Sequence, residues 1–419
     1  MDRFEGLDSL MASKGIRDAR TFEAYLKAVF TKRENQNANL TGFVFDTPQL
    51  DFTYEMLEAE RLIEVMASYV DLNSPALPSG SSVKIEKLTG TIPRMKHATG
   101  LGENDYRKLM VSLNEVKSVA RFSNVSETVA VQRFLSEQLF KKVDEIVAAF
   151  KNSLNYQVGQ MKSAAQLTLT DANNPRGSIR ATFTAHVPEA NFTDKTWWTA
   201  TSAGVETATG EPVEDIREIV RGERWRAGGY DAVTVEMNEK FFAKLLQHPA
   251  VLKAVGYALT GIGLRYTKAN DDNAVAVAKG ATYEAQKEAF RRLVEADELV
   301  LSKTVCGVET LNTTTRRYER KAVDAFEQYV VLVRPSGNVG VIKNVAPLRP
   351  DARAVYGGVY GGRGLIEYTY NADTREQHWK GELTALAVLN RPRDMKYIRC
   401  GVKTVATPPA GGGSEGGNG

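Results

Sequence analysis

Residues that could bind a metal are few and scattered in this chain. It has four histidines, His97, His186, His248 and His378. None of them forms a zinc-type His-x-x-x-His or Cys/His pattern. A metal site would need distant partners that the sequence does not indicate. We therefore expect surface or hydrogen-bonded histidines, and no metal site.

Two glycine-containing segments invite a phosphate-binding interpretation. Residues 357–364 lack the Gly-Lys-Ser/Thr ending of a P-loop, and residues 261–263 are too short for a dinucleotide fingerprint. Turn-rich loops explain both. No Gly-x-Ser-x-Gly elbow is present. The adjacent Glu214 and Asp215 lie at a predicted helix start, where the helix dipole accounts for them. We predict no catalytic residues, no cofactor and no enzyme.

Other reactive or aromatic residues favour structural roles. Trp197, Trp198 and Trp225 could form a ligand platform, but buried anchors explain them better. Cys306 and Cys400 are the only cysteines among 419 residues, and neither lies in a Cys-x-x-Cys pair. This usage fits a reducing compartment without disulfides.

Charge and hydropathy exclude several protein classes. The formal net charge is +3, which argues against a dedicated nucleic-acid binder but permits weak contact with a polyanion. No apolar run reaches ~18 residues, and the first residues lack the apolar run of a signal peptide. We expect no membrane span and a protein made and kept in the cytosol, or released only by lysis.

One long amphipathic segment, over residues 126–170, is the largest of the predicted elements that could position a site. Its apolar residues recur every three or four positions, which places them on one face of an α-helix. At ~1.5 Å per residue, about 40 residues make a rod of roughly 60 Å. Such a helix suggests a spine through an extended subunit. Its predicted core residues are Leu139, Val143, Ile146, Phe150 and Leu154.

Shorter elements surround this spine. Helices are predicted over residues 21–30, 52–70, 212–220 and 239–246, the last with Asn238 as N-cap. Strands are predicted over residues 83–88, 179–186, 232–236, 366–370 and 383–389, with a hairpin over 328–345. The last residues, 406–419, are rich in glycine and are expected to form a disordered tail.

A basic segment over residues 74–121 has too few apolar residues for a core of its own. We predict an extended hairpin, joined through Gly100 and Gly102, that packs on an adjacent subunit. The alternative is a solvated loop. Its candidate intersubunit contacts are Lys84, Lys87, Arg94 and Lys96.

This order of parts resembles the major capsid protein of tailed bacteriophages, with the Hong Kong 97-type fold and its lambda-type branch. The similarity rests on Trp197 and Trp198 followed by residues 212–217, then on residues 230–238, 241–246 and 248–251. The last part of the family's sequence pattern is similar to residues 364–368 and 382–389. The order of elements covers about residues 50–405.

The resemblance implies an α+β fold with an N-terminal arm (1–73), an extended loop (74–125), a peripheral domain (126–225) and an axial domain (226–405). It also implies a subunit that self-assembles into hexamers and pentamers of an icosahedral phage head around double-stranded DNA. Implied partners are portal, scaffold and decoration proteins and packaged DNA, without a membrane. The implied location is the virion, after assembly in the host cytoplasm. The alternatives are an encapsulin-like nanocompartment shell and a nucleotide-dependent enzyme using residues 357–364.

Overall fold

The computed structural model of the chain describes residues 40, 42–59, 85–101, 103–123, 126–174, 177, 179–201, 206–225, 231–260, 268–312, 314–315, 317–347, 355–359, 363–371 and 376–405. The chain separates into two compact units. Unit 1 takes residues 1–56, 87–158 and 340–388, and unit 2 takes residues 57–86, 159–339 and 389–419. The helix predicted over residues 21–30 and the glycine-rich tail lie outside the described residues. The domain boundaries predicted at 73, 125, 225 and 405 stay predictions.

Helices and strands occur largely in separate runs along the described chain, which confirms the predicted α+β class. The helices are α1 (Glu103–Phe122), α2 (Glu127–Ser163), α3 (Pro212–Trp225), α4 (Glu239–Leu245), α5 (Pro249–Thr260), α6 (Lys268–Gly280) and α7 (Tyr283–Leu293). The strands are β1 (Phe43–Phe45), β2 (Thr53–Ala59), β3 (Ile85–Thr91), β4 (Arg94–Leu101), β5 (Gln166–Thr168), β6 (Thr182–Thr184), β7 (Phe192–Thr201), β8 (Glu206–Ala208), β9 (Val233–Asn238), β10 (Glu298–Ser302), β11 (Val305–Asn312), β12 (Arg317–Asp324), β13 (Val330–Pro335), β14 (Gly340–Asn344), β15 (Val355–Val359), β16 (Gly364–Asn371), β17 (Glu376–Leu389) and β18 (Lys396–Val405).

Unit 1 combines a mixed sheet with residues 127–158 of the long helix α2, whose last five residues belong to unit 2. The described strands run in the order β1–β14–β17–β16–β15, and β4 also pairs with β17. Ile146, Phe150 and Leu154 of α2 are buried, as predicted for the spine. Gly381 of β17 lies against the first two of these side chains, where a Cβ would find no room. A glycine in the strand therefore lets the helix approach the sheet closely.

The spine helix is shorter than its sequence pattern predicts. It ends at Ser163, seven residues before the predicted end at Thr170. Ala165 then adopts a left-handed backbone conformation with φ of 55°, and β5 follows and pairs with β6. Because the apolar spacing continues through this turn into the strand, periodicity alone could not locate the end. Leu139 and Val143 lie in the helix, but their side chains are outside the described part.

Unit 2 is built on a second sheet with the strand order β10–β9–β13–β18–β7–β8. Its hydrophobic core gathers apolar side chains from this sheet and from the neighbouring helices. Members include Trp197, Trp198, Phe241, Phe290 and Val331. Trp197 and Trp198 are buried, which confirms their interpretation as structural anchors. Trp225, the last residue of α3, is 73% exposed, so the same prediction is wrong for it.

Several local predictions are confirmed in unit 2. The helix predicted from Pro212 is α3. The Asn238 side chain accepts a hydrogen bond from the Lys240 backbone N–H at 2.8 Å, which makes it the N-cap of α4. His248 lies just before Pro249, at the start of α5, and its Nε2 is 3.0 Å from the Thr209 carbonyl oxygen.

Three local predictions are wrong. The helix predicted over residues 52–70 begins as strand β2, because tertiary pairing with β3 overrides its helical spacing. The hairpin predicted over residues 328–345 does not form, since β13 pairs with β9 and β18 while β14 pairs with β1 and β17. The basic hairpin predicted over residues 74–121 is replaced by β3, β4 and α1. Gly100 lies inside β4, which pairs with β17 rather than with β3.

Candidate assembly interface

Strand β4 places two cations on the face of the unit 1 sheet that points away from α2. On the near face, Gln157 of α2 contacts Met95, with its amide nitrogen 3.4 Å from the sulfur. Successive side chains of a strand point to opposite faces, so Arg94 and Lys96 share the far face. Both are exposed.

These two cations share one carboxylate. Arg94 Nε lies 3.1 Å from Glu382 Oε1, and Lys96 Nζ lies 3.7 Å from Glu382 Oε2. Strand register explains the contact, because Lys96 stands directly opposite Glu382. Since the side chains are solvated, each pair contributes about 1 kcal/mol at most. The two cations therefore share a single acid on the neighbouring strand.

Exposed apolar side chains accompany this charge. The Arg94 guanidinium carbon lies 5.2 Å from the centre of the Phe52 ring, in the range of a cation–π contact. Leu50, two residues earlier, is 82% exposed. We call the surface formed by Leu50, Phe52, Arg94 and Lys96 the Arg94 face. It combines apolar area with charges of both signs, because the exposed Asp51 lies between Leu50 and Phe52.

The structure brings together only part of the predicted contact set. Arg94 and Lys96 lie side by side. Lys84 lies outside the described residues, and Lys87 belongs to β3 without a described side chain. Sequence reasoning missed Glu382, because it lies almost 300 residues further along the chain and only the β4–β17 pairing brings it close. An acid that pairs with Arg94 and Lys96 is thus supplied by the same chain.

Helix α1 carries a second exposed surface that sequence reasoning missed. Val111, Val119 and Phe122 are 60%, 64% and 93% exposed. At 100° per residue they lie within about 80° of one another around the helix, with Glu115 between them. We call these four residues the α1 stripe. Their spacing of eight and three residues was a usable signal, but many charged neighbours hide it.

The opposite side of α1 is also apolar. Leu109, Leu113 and Ala120 are buried and lie on the reverse of the helix from the α1 stripe. A helix with two apolar faces suits a position between two layers. The described part of this chain covers one face and leaves the other exposed. We regard the exposed face as a candidate site of protein–protein contact.

A buried ionic network holds the end of the spine helix within unit 2. Lys162 Nζ lies 2.9 Å from Glu236 Oε1, and Arg334 Nε lies 2.9 Å from Glu236 Oε2. All three residues are almost fully buried. Burial alone would raise the pKa of Glu236, but the two cations outweigh it and hold that pKa below 4.5. The network joins α2, β9 and β13 and is structural in character.

The described residues contain no group of three His, Cys, Asp or Glu side chains that could hold a metal ion. Cys306 and Cys400 are buried free thiols, and burial raises the pKa of Cys306 to about 11. Of the glycine-rich residues 357–364, residues 357–359 belong to β15 and Gly364 belongs to β16, and these two strands pair. No described helix is long and apolar enough to cross a membrane.

Comparison with known proteins gives a family. A family model described as phage major capsid protein E matches residues 24–327. No curated protein matches the chain significantly. Among solved structures, the capsid of cyanophage P-SCSP1u is 11% identical with a TM-score of 0.43, over 87% of this chain and 88% of that one. The capsid of Myoviridae phage XM1 is 9% identical with a TM-score of 0.39, over 86% and 90%.

Proposed function

The chain belongs to the phage major capsid protein E family, and we propose that its copies form the hexamers and pentamers of an icosahedral head around double-stranded DNA. The observation that carries the proposal is the family match over residues 24–327. As a capsid protein the chain is a structural component of the virion, not an enzyme. The sequence-based recognition of a phage capsid family is thereby confirmed.

Two features of unit 1 support a role in assembly. The α1 stripe and the Arg94 face both expose apolar side chains that a monomer in water would otherwise bury. Helix α1 has one buried and one exposed apolar face. Such a helix is expected in a subunit whose neighbours cover part of its apolar surface. Head-to-tail contacts between such subunits close into rings.

The remaining partners follow from the same proposal. A closed head that is filled with DNA needs a portal, and its assembly needs a scaffold function. A decoration protein on the outside is compatible with it. Contact with packaged DNA is non-specific, because attraction to phosphate does not depend on base sequence. It is also weak, since the net charge is only +3 over 419 residues. Assembly takes place in the host cytoplasm.

Electron microscopy of the purified full-length chain tests this proposal. We expect rings or closed shells in negative stain, and nuclease-protected double-stranded DNA in particles from infected or induced cells. Particles that contain a protein cargo and no nucleic acid would favour the nanocompartment alternative. A chain that stays monomeric at high concentration, alone and with the other head proteins of its phage, would contradict the proposal.

A further inference from the structure

We propose that His248 is a proton-sensitive latch in unit 2, which joins the start of α5 to the turn between β8 and α3 at neutral pH and releases both in acid. The latch consists of the His248 ring, the Ala250 backbone N–H and the Thr209 carbonyl oxygen. Because all its contacts lie within one chain, it goes beyond the proposed function and does not depend on it.

His248 caps the N-terminus of α5. Its carbonyl oxygen accepts a hydrogen bond from the Leu252 backbone N–H at 2.9 Å, which places it directly before the first turn of the helix. Pro249 occupies the first helical position, where a backbone N–H is not needed. The Ala250 N–H donates to His248 Nδ1 at 3.3 Å. The imidazole thus has the capping role at α5 that the Asn238 side chain has at α4.

The two ring nitrogens of His248 have opposite roles, and together they require the neutral ring. Nδ1 faces an N–H donor, so it must carry a lone pair. Nε2 lies 3.0 Å from the Thr209 carbonyl oxygen, which can only accept, so Nε2 must carry the hydrogen. A protonated imidazole has a hydrogen on both nitrogens. It would therefore lose the hydrogen bond from Ala250 and place two hydrogens against each other.

The surroundings of His248 oppose a positive charge on the ring. Only 3% of the residue is exposed, and the N-terminus of a helix is itself the positive end of the helix dipole. A second cation is close, because the Lys244 ammonium lies 4.8 Å and the His248 ring centre 5.6 Å from the centre of the Trp198 ring. Lys244 pairs with Glu206 of β8 at 2.6 Å.

The other charged groups near the latch belong to β7, to the turn after β8, to α4 and to α5. Each of them is paired with another residue or exposed: Lys195 with Asp215, Asp194 with Arg399, Glu239 with Lys303, Lys240 with Asp324, Lys253 and the Tyr257 hydroxyl with Asp271, and the exposed Glu211. Within the described part of the chain, no carboxylate pairs with the His248 ring to offset its charge.

Acid should therefore loosen two segments of unit 2 together. Only the neutral ring makes both contacts, so the latch is complete at neutral pH and is lost as the pH falls through the range in which histidines ionise, about pH 8 to 5. Asn238 and Thr282 cap α4 and α7 through side-chain oxygens that do not ionise. Unit 2 thus contains two matched caps that acid leaves intact.

Hydrogen exchange in the full-length chain tests the latch, with each amide rate divided by its unstructured rate at the same pH. Protection of the Ala250 amide should fall about tenfold between pH 8 and pH 5, within the range that an N-cap contributes. The Lys240 and Ala285 amides, which bond Asn238 and Thr282, should keep their protection. Unchanged protection at Ala250, or an equal loss at all three amides, would overturn the proposal.

His248→Asn separates capping from proton sensitivity. The asparagine side chain accepts a hydrogen bond from the Ala250 N–H as other N-caps do, but it does not ionise. Protection at Ala250 should therefore stay constant from pH 8 to pH 5 in this variant. A loss as large as that in the wild type would show that another group responds to acid, and the proposal would be wrong.

A second measurement on the wild-type chain decides the question even if the variant does not fold. The hydrogen on the imidazole carbon between the two nitrogens exchanges at a rate that follows ionisation of the ring. Mass spectrometry of separate peptides distinguishes His248 from the other three histidines. Its transition should coincide in pH with the loss of protection at Ala250, and a transition at a clearly different pH would contradict the latch.

Discussion

Gly381 lies directly against Phe150, so that a Cβ at Gly381 would be 2.8 Å from two carbons of the Phe150 ring. The sheet of unit 1 and the spine helix therefore meet at a position where only hydrogen fits. This close approach ties residues that are more than 200 positions apart in the chain.

Gly381→Ala should destabilise unit 1 by about 1–3 kcal/mol, because the added methyl group overpacks the helix–sheet contact. The unfolding midpoint in urea measures the loss. Gly401→Ala is the matched control, since Gly401 also lies in a strand and a methyl group added there would meet no other atom within 4 Å. Equal effects of the two variants would contradict this close packing.

Phe150→Asp should prevent soluble, assembly-competent protein from forming. The substitution buries an unpaired charge against β17, which costs several kcal/mol. Val129→Asp on the same helix is the control, because Val129 is more than half exposed. Soluble yield and particle formation measure both variants. Normal particles from Phe150→Asp would show that this face of the helix is not buried.

Gln157→Leu should cost about 1–3 kcal/mol by leaving a buried backbone donor without a partner. The Ala387 N–H donates to Gln157 Oε1 at 3.1 Å. Hydrogen exchange at Ala387 should become faster in the variant. Ser153→Ala is the control, since Ser153 bonds only a carbonyl of its own helix. Unchanged protection at Ala387 would show that Gln157 does not hold this strand.

Glu236→Gln should cost about 3–5 kcal/mol, because it leaves Lys162 and Arg334 buried without their anion. Glu309→Gln, at an exposed pair with Arg320, should cost about 1 kcal/mol or less. Thermal unfolding compares the two. A small effect of Glu236→Gln would mean that water reaches the network.

The same network predicts a pH dependence. The folded pKa of Glu236 lies below 4.5, so its stabilisation is present above pH 4.5 and is lost as the pH falls through the folded pKa. On the acid side, the stability difference between wild type and Glu236→Gln should therefore stay constant down to about pH 5 and shrink as the pH falls further. A difference that already shrinks between pH 7 and 5 would contradict the lowered pKa.

The sequence predicts well what local patterns determine. The three- and four-residue spacing locates α2, and the Asn238 cap locates α4, because both depend on neighbours along the chain. The pairing of β4 with β17 depends on partners hundreds of residues apart, so the link from Arg94 to Glu382 could not be predicted. The assignment of β13 and β14 to different sheets could not be predicted either, because their sequence pattern is typical of a single hairpin. The α1 stripe could not be predicted from the sequence. Its spacing along the chain is also that of a buried helix face, and only the folded structure shows that it is exposed.

The stoichiometry of the released capsomers tests the central claim most directly. Native mass spectrometry of mildly dissociated particles should show species of five and six times the mass of one chain. Dimers or an open series of all lengths, without pentamers and hexamers, would contradict assembly as a capsid shell.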